Sequence, residues 1–141
     1  MELKFIDTEH PLYEKERRLR SKVLREELGF PPGAEVFPFE DKSLHLVAVQ
    51  DGDVIGCAAF HPEERTGRLY QMAVYEEHRG KGIGGKLVAE LERHLRDRGF
   101  EEIYLHARHY AVPFYEKLGY EIFGEPFVEI GIDHRKMKKS L

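Results

Sequence analysis

The chain has a single cysteine, Cys57, among its 141 residues, so no disulfide can form within it. That suits a reducing compartment, and the expected location is the cytoplasm. No stretch approaches the roughly 18 consecutive apolar residues of a helical membrane span. The opening Met1-Glu2-Leu3-Lys4-Phe5 lacks the apolar core of a signal peptide. An excess of positive charge is also missing. The net charge of −4 argues against a general nucleic-acid binder. Repeats, linkers and low-complexity segments are absent. No serine or cysteine nucleophile motif occurs, and Cys57 has no neighbouring base. His106 and His109 form H-x-x-H, but one cysteine and no adjacent acidic cluster give no reason to expect a metal.

What is present fits one globular domain over residues 1–141. The chain is 41% hydrophobic and 34% charged, enough for one core under a soluble surface. A short strand is expected at Leu3 to Asp7. Pro11 opens a helix whose apolar face holds Leu12, Leu19, Val23, Leu24 and Leu28. Gly29-Phe30-Pro31-Pro32-Gly33 stops it, and residues 34 to 43 read as a loop. Leu44 to Gln50 and Val54 to His61 form two strands around an Asp51-Gly52-Asp53 turn. Leu69 to Tyr75 is a third strand of this run. A helix follows, with Leu87, Val88, Leu91 and Leu95 on one face and Gly99 as its stop. Ile103 to Ala107, Glu121 to Phe123 and Ile130 to Met137 supply further strands, and Val112 to Lys117 a short helix. The predicted class is α+β, with a mixed, mostly antiparallel central sheet flanked by helices.

The most informative segment is Arg79-Gly80-Lys81-Gly82-Ile83-Gly84-Gly85, which joins a strand to a helix N-terminus. Free backbone N–H groups converge there at the positive end of the helix dipole, and phosphate is the usual anion for such a site. Arg79, Lys81 and Lys86 add charge. Gly80, Gly82 and Gly85 fit G-x-G-x-x-G, the dinucleotide pattern, but too little chain follows for the rest of a doubly wound domain. Gly80, Gly85 and Lys86 begin a nucleoside-triphosphate loop, but Leu87 stands where Ser or Thr should hold magnesium.

Arg79-Gly80-Lys81-Gly82-Ile83-Gly84 also satisfies R-x-x-G-x-G/A, the pyrophosphate loop of the GNAT family of N-acetyltransferases. Farther on, Ala111-Val112-Pro113-Phe114-Tyr115-Glu116-Lys117-Leu118-Gly119-Tyr120 resembles that family's A-x-x-F-Y-x-K-x-G-F/Y signature. The chain from Phe127 to Met137 resembles the F-x-E-x-G-I-x-H-x-x-M ending of a bacterial subgroup. The resemblance is clear from residue 44 to residue 124.

It implies a single GNAT-like domain using acetyl-CoA as cosubstrate, without a metal. The loop from Arg79 to Gly85 would hold the pyrophosphate. Met72, Ala73 and Val74, on a strand that splays from its neighbour in the family, would bind the pantetheine arm and acetyl carbonyl. Tyr115 takes the place of the family's acid for the departing thiolate. The family's glutamate base would fall near Arg68, which cannot act as one, and Gln71 does not titrate usefully. Glu129 and His134 are therefore the candidate catalytic groups near the acceptor. Arg108 stands where many relatives carry a cofactor-contacting asparagine.

The implied partner is a small-molecule or peptide amine, with no nucleic acid or membrane, and the protein acts as a monomer or homodimer. The acceptor pocket is expected to draw on variable loops such as residues 29 to 43. The negative net charge mildly favours a cationic acceptor. Two alternatives stay open: a non-catalytic acyl-CoA-binding or sensor domain on the same fold, and an NAD-dependent oxidoreductase.

Overall fold

Seven strands share one sheet in the computed structural model, which describes residues 1–141. They are β1 (Glu2–Ile6), β2 (Leu44–Gln50), β3 (Asp53–Glu63), β4 (Thr66–Val74), β5 (Glu102–Arg108), β6 (Glu121–Glu129) and β7 (Ile132–Ser140). Their spatial order is β1-β2-β3-β4-β5-β7-β6. Every neighbouring pair is antiparallel except β4 with β5. Three helices flank the sheet: α1 (Tyr13–Leu24), α2 (Ile83–Asp97) and α3 (Val112–Lys117).

Strand alternation sorts the core into two layers. Leu46 and Ala48 of β2 pack with Leu87 and Leu91 of α2, whereas Val47 packs with Leu19 of α1. So α1 covers one face and α2 the other. On β5, Ile103, Leu105 and Ala107 join the α2 layer, as does Tyr115 of α3. Tyr104, His106 and Arg108 therefore point to the α1 face.

Three local expectations need correction. Helix α1 ends at Leu24, and Glu26–Leu28 is a separate 3-10 turn. The segment after residue 33 is not all loop, because Glu40–Lys42 makes another such turn. Strand β6 runs on to Glu129, through Gly124 and Pro126 and well past the expected end at Phe123. Its pairing with β7 is irregular between Phe123 and Phe127, and as an edge strand it tolerates the proline. Ile130 and Gly131, at φ 50 and 76, then form the two-residue turn into β7. Glu129 thus belongs to β6, while His134 sits on β7, which lies between β5 and β6.

Beneath α1 lies a buried charge network. Arg20 is fully buried and forks onto both Glu40 oxygens at 2.7 and 2.8 Å, with Glu16 Oε2 at 2.8 Å. His45 donates from Nδ1 to Glu16 and from Nε2 to the Glu40 carbonyl. Both partners only accept, so both ring nitrogens carry protons. Burial pulls the His45 pKa down, but the hydrogen bonds and charges of Glu16 and Glu40 together outweigh it and the net direction is up. Two cations then balance two carboxylates, as burial requires. Arg20 also reaches Gln71 Oε1 at 3.3 Å, which ties this network to the middle of β4.

Candidate functional site

Gln71 is where β4 departs from regular strand geometry. Its φ is +52, and the β3–β4 register slips between Cys57 and Ala59 so that β4 carries an extra residue. The Cys57 thiol donates to the Gln71 carbonyl, and Arg20 holds its side chain. A positive φ at a non-glycine residue persists only where its surroundings enforce it. On its other edge, β4 pairs with β5 only from Thr66 to Leu69. Beyond Leu69 the strands diverge, and the β4 edge facing β5 has no strand partner. A cleft of about 840 Å³ opens there.

The cleft joins the two faces of the sheet. From the α2 side it is lined by Met72 and Val74, by Arg79, Gly80 and the residues 82 to 85, and by Tyr115, while Ala73 between them belongs to the α1 layer. From the α1 side it is lined by Arg25, Arg68, His106, Arg108, Glu129 and His134. All the proposed site residues therefore meet at one cavity except Lys81. Lys81 is exposed at the turn, with Nζ 3.4 Å from His78 Nδ1.

At the loop, Gly82 is the N-cap of α2, in the left-handed region at φ 76, and no side chain caps the helix. Its first turn holds no acid. The leading N–H groups thus lack both an intrahelical acceptor and a carboxylate competitor, which leaves an electropositive end facing the cleft. A side chain at Gly85 would meet nothing within 4 Å, so the backbone lies open to a ligand. At Gly84, a Cβ would come within 3.2 Å of the Phe114 ring, and this glycine is needed to let α2 and α3 approach.

Tyr115 is buried against Phe114 and Tyr120, both edge-on. Tyr120 is itself fixed by donating to Glu92 Oε2 at 2.8 Å. Burial alone pushes the Tyr115 pKa up, so the phenol stays protonated at neutral pH. No protein group accepts from its hydroxyl, which leaves the O–H free to donate into the cleft.

On the α1 face, Glu129 is held on two sides. Its Oε2 lies 3.0 Å from His106 Nδ1, and its Oε1 lies 3.7 Å from Arg68. Burial raises the carboxyl pKa, but the His106 hydrogen bond and the His106 and Arg68 charges turn the net shift downward. Glu129 is therefore an ionised anchor, already engaged. His106 is the residue that sequence reasoning missed. Burial, then the Arg68 charge, lowers its pKa against the pull of Glu129, so the ring is neutral at pH 7. Nδ1–H donates to Glu129, and Nε2 keeps a lone pair with no protein partner. The available signal was the alternation of β5, which puts His106 opposite the core side, but only the fold brings Glu129 to it. His134 is buried, with Nδ1 bound to the Ile132 carbonyl at 2.8 Å. Of residues 29 to 43, Phe37 alone lines the cleft. Glu35 and Glu40 of that segment are engaged by Arg17 and Arg20.

Residues 9–120 match the acetyltransferase (GNAT) family. The chain is 32% identical to the uncharacterised N-acetyltransferase YjcF of Bacillus subtilis over 123 residues, covering 86% of this chain and 88% of that one. Its fold superposes on an aminoglycoside 6'-acetyltransferase type Ii with a TM-score of 0.82 at 28% identity, covering 99% and 97% of the two chains. An aminoglycoside 6'-N-acetyltransferase complexed with coenzyme A gives a TM-score of 0.82 at 20% identity, covering 99% and 97%.

Proposed function

The chain belongs to the acetyltransferase (GNAT) family and is an acyltransferase, and on that premise we propose that it moves an acetyl group from acetyl-CoA to a primary amine by direct transfer in a ternary complex. One observation carries the reading. The uncapped N-terminus of α2 and the protonated Tyr115 open on the same gap between β4 and β5 that leads to His106 on the opposite face.

The residues fit acetyl-CoA. Backbone N–H groups at residues 83 to 85, with Arg79 beside them, suit a pyrophosphate. Lys81 contributes long-range positive charge and no lining contact. Met72, Ala73 and Val74 offer apolar surface and an edge without a strand partner to an extended pantetheine arm. A crystal structure of one fold neighbour is of a coenzyme A complex, which supports this choice of cosubstrate.

The amine then comes from the α1 face. His106 Nε2 takes its proton, either directly or through a water, and Glu129 stabilises the resulting imidazolium. The nitrogen lone pair attacks the thioester carbonyl. A C–N bond forms and the C–S bond breaks. Tyr115 donates its hydrogen bond and then its proton to the departing sulfur. The second proton, shed by the nitrogen as it becomes an amide, returns through water to the phenol, leaving one proton on His106 for release to solvent. Glu129 thus acts through His106, and His134 helps shape the acceptor side. The single thiol, Cys57, is buried and pushed upward in pKa by that burial, so it takes no part. A reducing compartment such as the cytoplasm is the proposed location.

The test is turnover with labelled acetyl-CoA across a panel of amines. Release of coenzyme A should match amide formation one for one, and no label should remain on the protein without acceptor. Label retained covalently on the chain would contradict direct transfer. Tight coenzyme A binding with no turnover on any amine would favour the non-catalytic binding domain.

A further inference from the structure

Two arginines at the acceptor side of the cleft have no acidic partner. Arg25, just past α1, is only 8% exposed and lines the cleft. The one hydrogen bond of its guanidinium inside the protein runs from Nη1 to the Leu24 carbonyl at 3.0 Å. Arg108, at the end of β5, donates to the same carbonyl at 2.7 Å and to the Tyr110 hydroxyl at 2.8 Å. Two guanidinium groups thus converge on one carbonyl oxygen. The partial negative charge at a helix C-terminus is about half an elementary charge, far short of two cations.

Two of the nearby acids are already engaged. Glu35 pairs with Arg17 at 2.9 Å, and Glu129 is held by His106 and Arg68. Glu27 is exposed at the rim, with no ion pair. Burial and then the Arg108 and Arg20 charges lower the Arg25 pKa, the direction expected for a cation lacking its counter-ion. A guanidinium offers five N–H donors in a planar fork, and most of those on Arg25 find no acceptor in the protein. A nearly enclosed arginine in that state marks a place for an anion supplied from outside.

We propose that the acceptor amine carries an anionic group, a carboxylate or a phosphate, that docks on Arg25 and Arg108 while its amino group faces His106. The proposal deepens the acetyl-transfer reading and rests on it. It also reverses the mild preference for a cationic acceptor that net charge suggests, because the local field at the cleft has the opposite sign to the whole chain.

The test titrates paired probes into the protein saturated with coenzyme A. The carboxylate arm sets amino acids against their amides. The phosphate arm sets O-phosphoethanolamine against ethanolamine. In at least one arm the anionic member should bind about tenfold or more tightly than its partner lacking the anion, because that partner leaves the two guanidinium charges without a counter-ion. The arm that responds identifies the anion. Arg108→Gln and Arg25→Gln should each shrink the preference to about threefold or less, with coenzyme A kept saturating for each variant. Should Arg25→Gln fail to fold, Arg108→Gln, on a half-buried residue, carries the comparison, with Arg25→Lys keeping charge but losing the fork.

The proposal is overturned if neutral or cationic amines bind as well as anionic ones. It is equally overturned if the preference survives both glutamine variants, or if no anionic probe binds while coenzyme A does. Failure of wild-type protein to bind coenzyme A at all would instead strike the acetyl-transfer reading, and this proposal with it.

Discussion

Tyr115→Phe is expected to lower kcat by about 100-fold, or about 2.7 kcal/mol of barrier, with little change in acetyl-CoA affinity or melting temperature. The variant keeps the ring and its edge-on contacts with Phe114 and Tyr120 and removes only the hydroxyl. That hydroxyl has no hydrogen-bond partner in the protein, so its loss leaves no buried group unpaired. A tyrosine that only packs would leave kcat unchanged, because the phenylalanine ring keeps the same contacts. Steady-state kinetics on an active acceptor, alongside thermal unfolding, separates the two. Unchanged kcat would return Tyr115 to packing.

The second large effect concerns His106. His106→Gln keeps a hydrogen bond to Glu129 but removes the titratable lone pair. A positioned general base contributes roughly 100-fold or more, so kcat should fall by about that factor. The pH profile distinguishes a base from a spacer. The active form is the neutral ring, and its pKa lies below the ordinary histidine value of about 6.5. Wild-type kcat should therefore hold through neutral pH and drop as pH falls through that lowered pKa. The glutamine variant should lose this acidic limb. Glu129→Gln removes the charge that supports the imidazolium, so the limb should move to lower pH still. A limb that stays in place in His106→Gln would assign it to another group.

Much of this was legible in the sequence, for reasons specific to the residues. The apolar spacing of Leu87, Val88, Leu91 and Leu95 identifies α2, because a helix buries one stripe. The glycines before it identify the loop, because few other residues take φ near 80 there. Tyr115 is named by the signature around it.

The acceptor side was not legible, because it is made by pairing rather than by pattern. Nothing in chain order says that β7 inserts between β5 and β6, yet this sets His134 opposite Arg108 and brings the end of β6 over His106. The Glu16, Arg20, Glu40 and His45 network was equally hidden. Charged residues on a helix read as solvated, and only their mutual neutralisation lets them lie under α1. Arg25 and Arg108, 83 residues apart in sequence, share the Leu24 carbonyl only through the fold.

The central claim is that the cleft between β4 and β5 takes acetyl-CoA at the N-terminus of α2, and calorimetric titration of Gly85→Leu tests it most directly. Gly85 has ordinary helical backbone, and a Cβ there meets no protein atom within 4 Å. Leucine also favours a helix over glycine, so the fold should hold or gain. Gly82, at positive φ, and Gly84, against Phe114, would confuse strain with blockade. Wild-type protein should bind coenzyme A one to one and more tightly than NAD or ATP. The leucine substitution should weaken that binding by at least about tenfold, or about 1.4 kcal/mol, without lowering the melting temperature. Tighter binding of NAD or ATP, or coenzyme A affinity untouched by Gly85→Leu, would contradict the account.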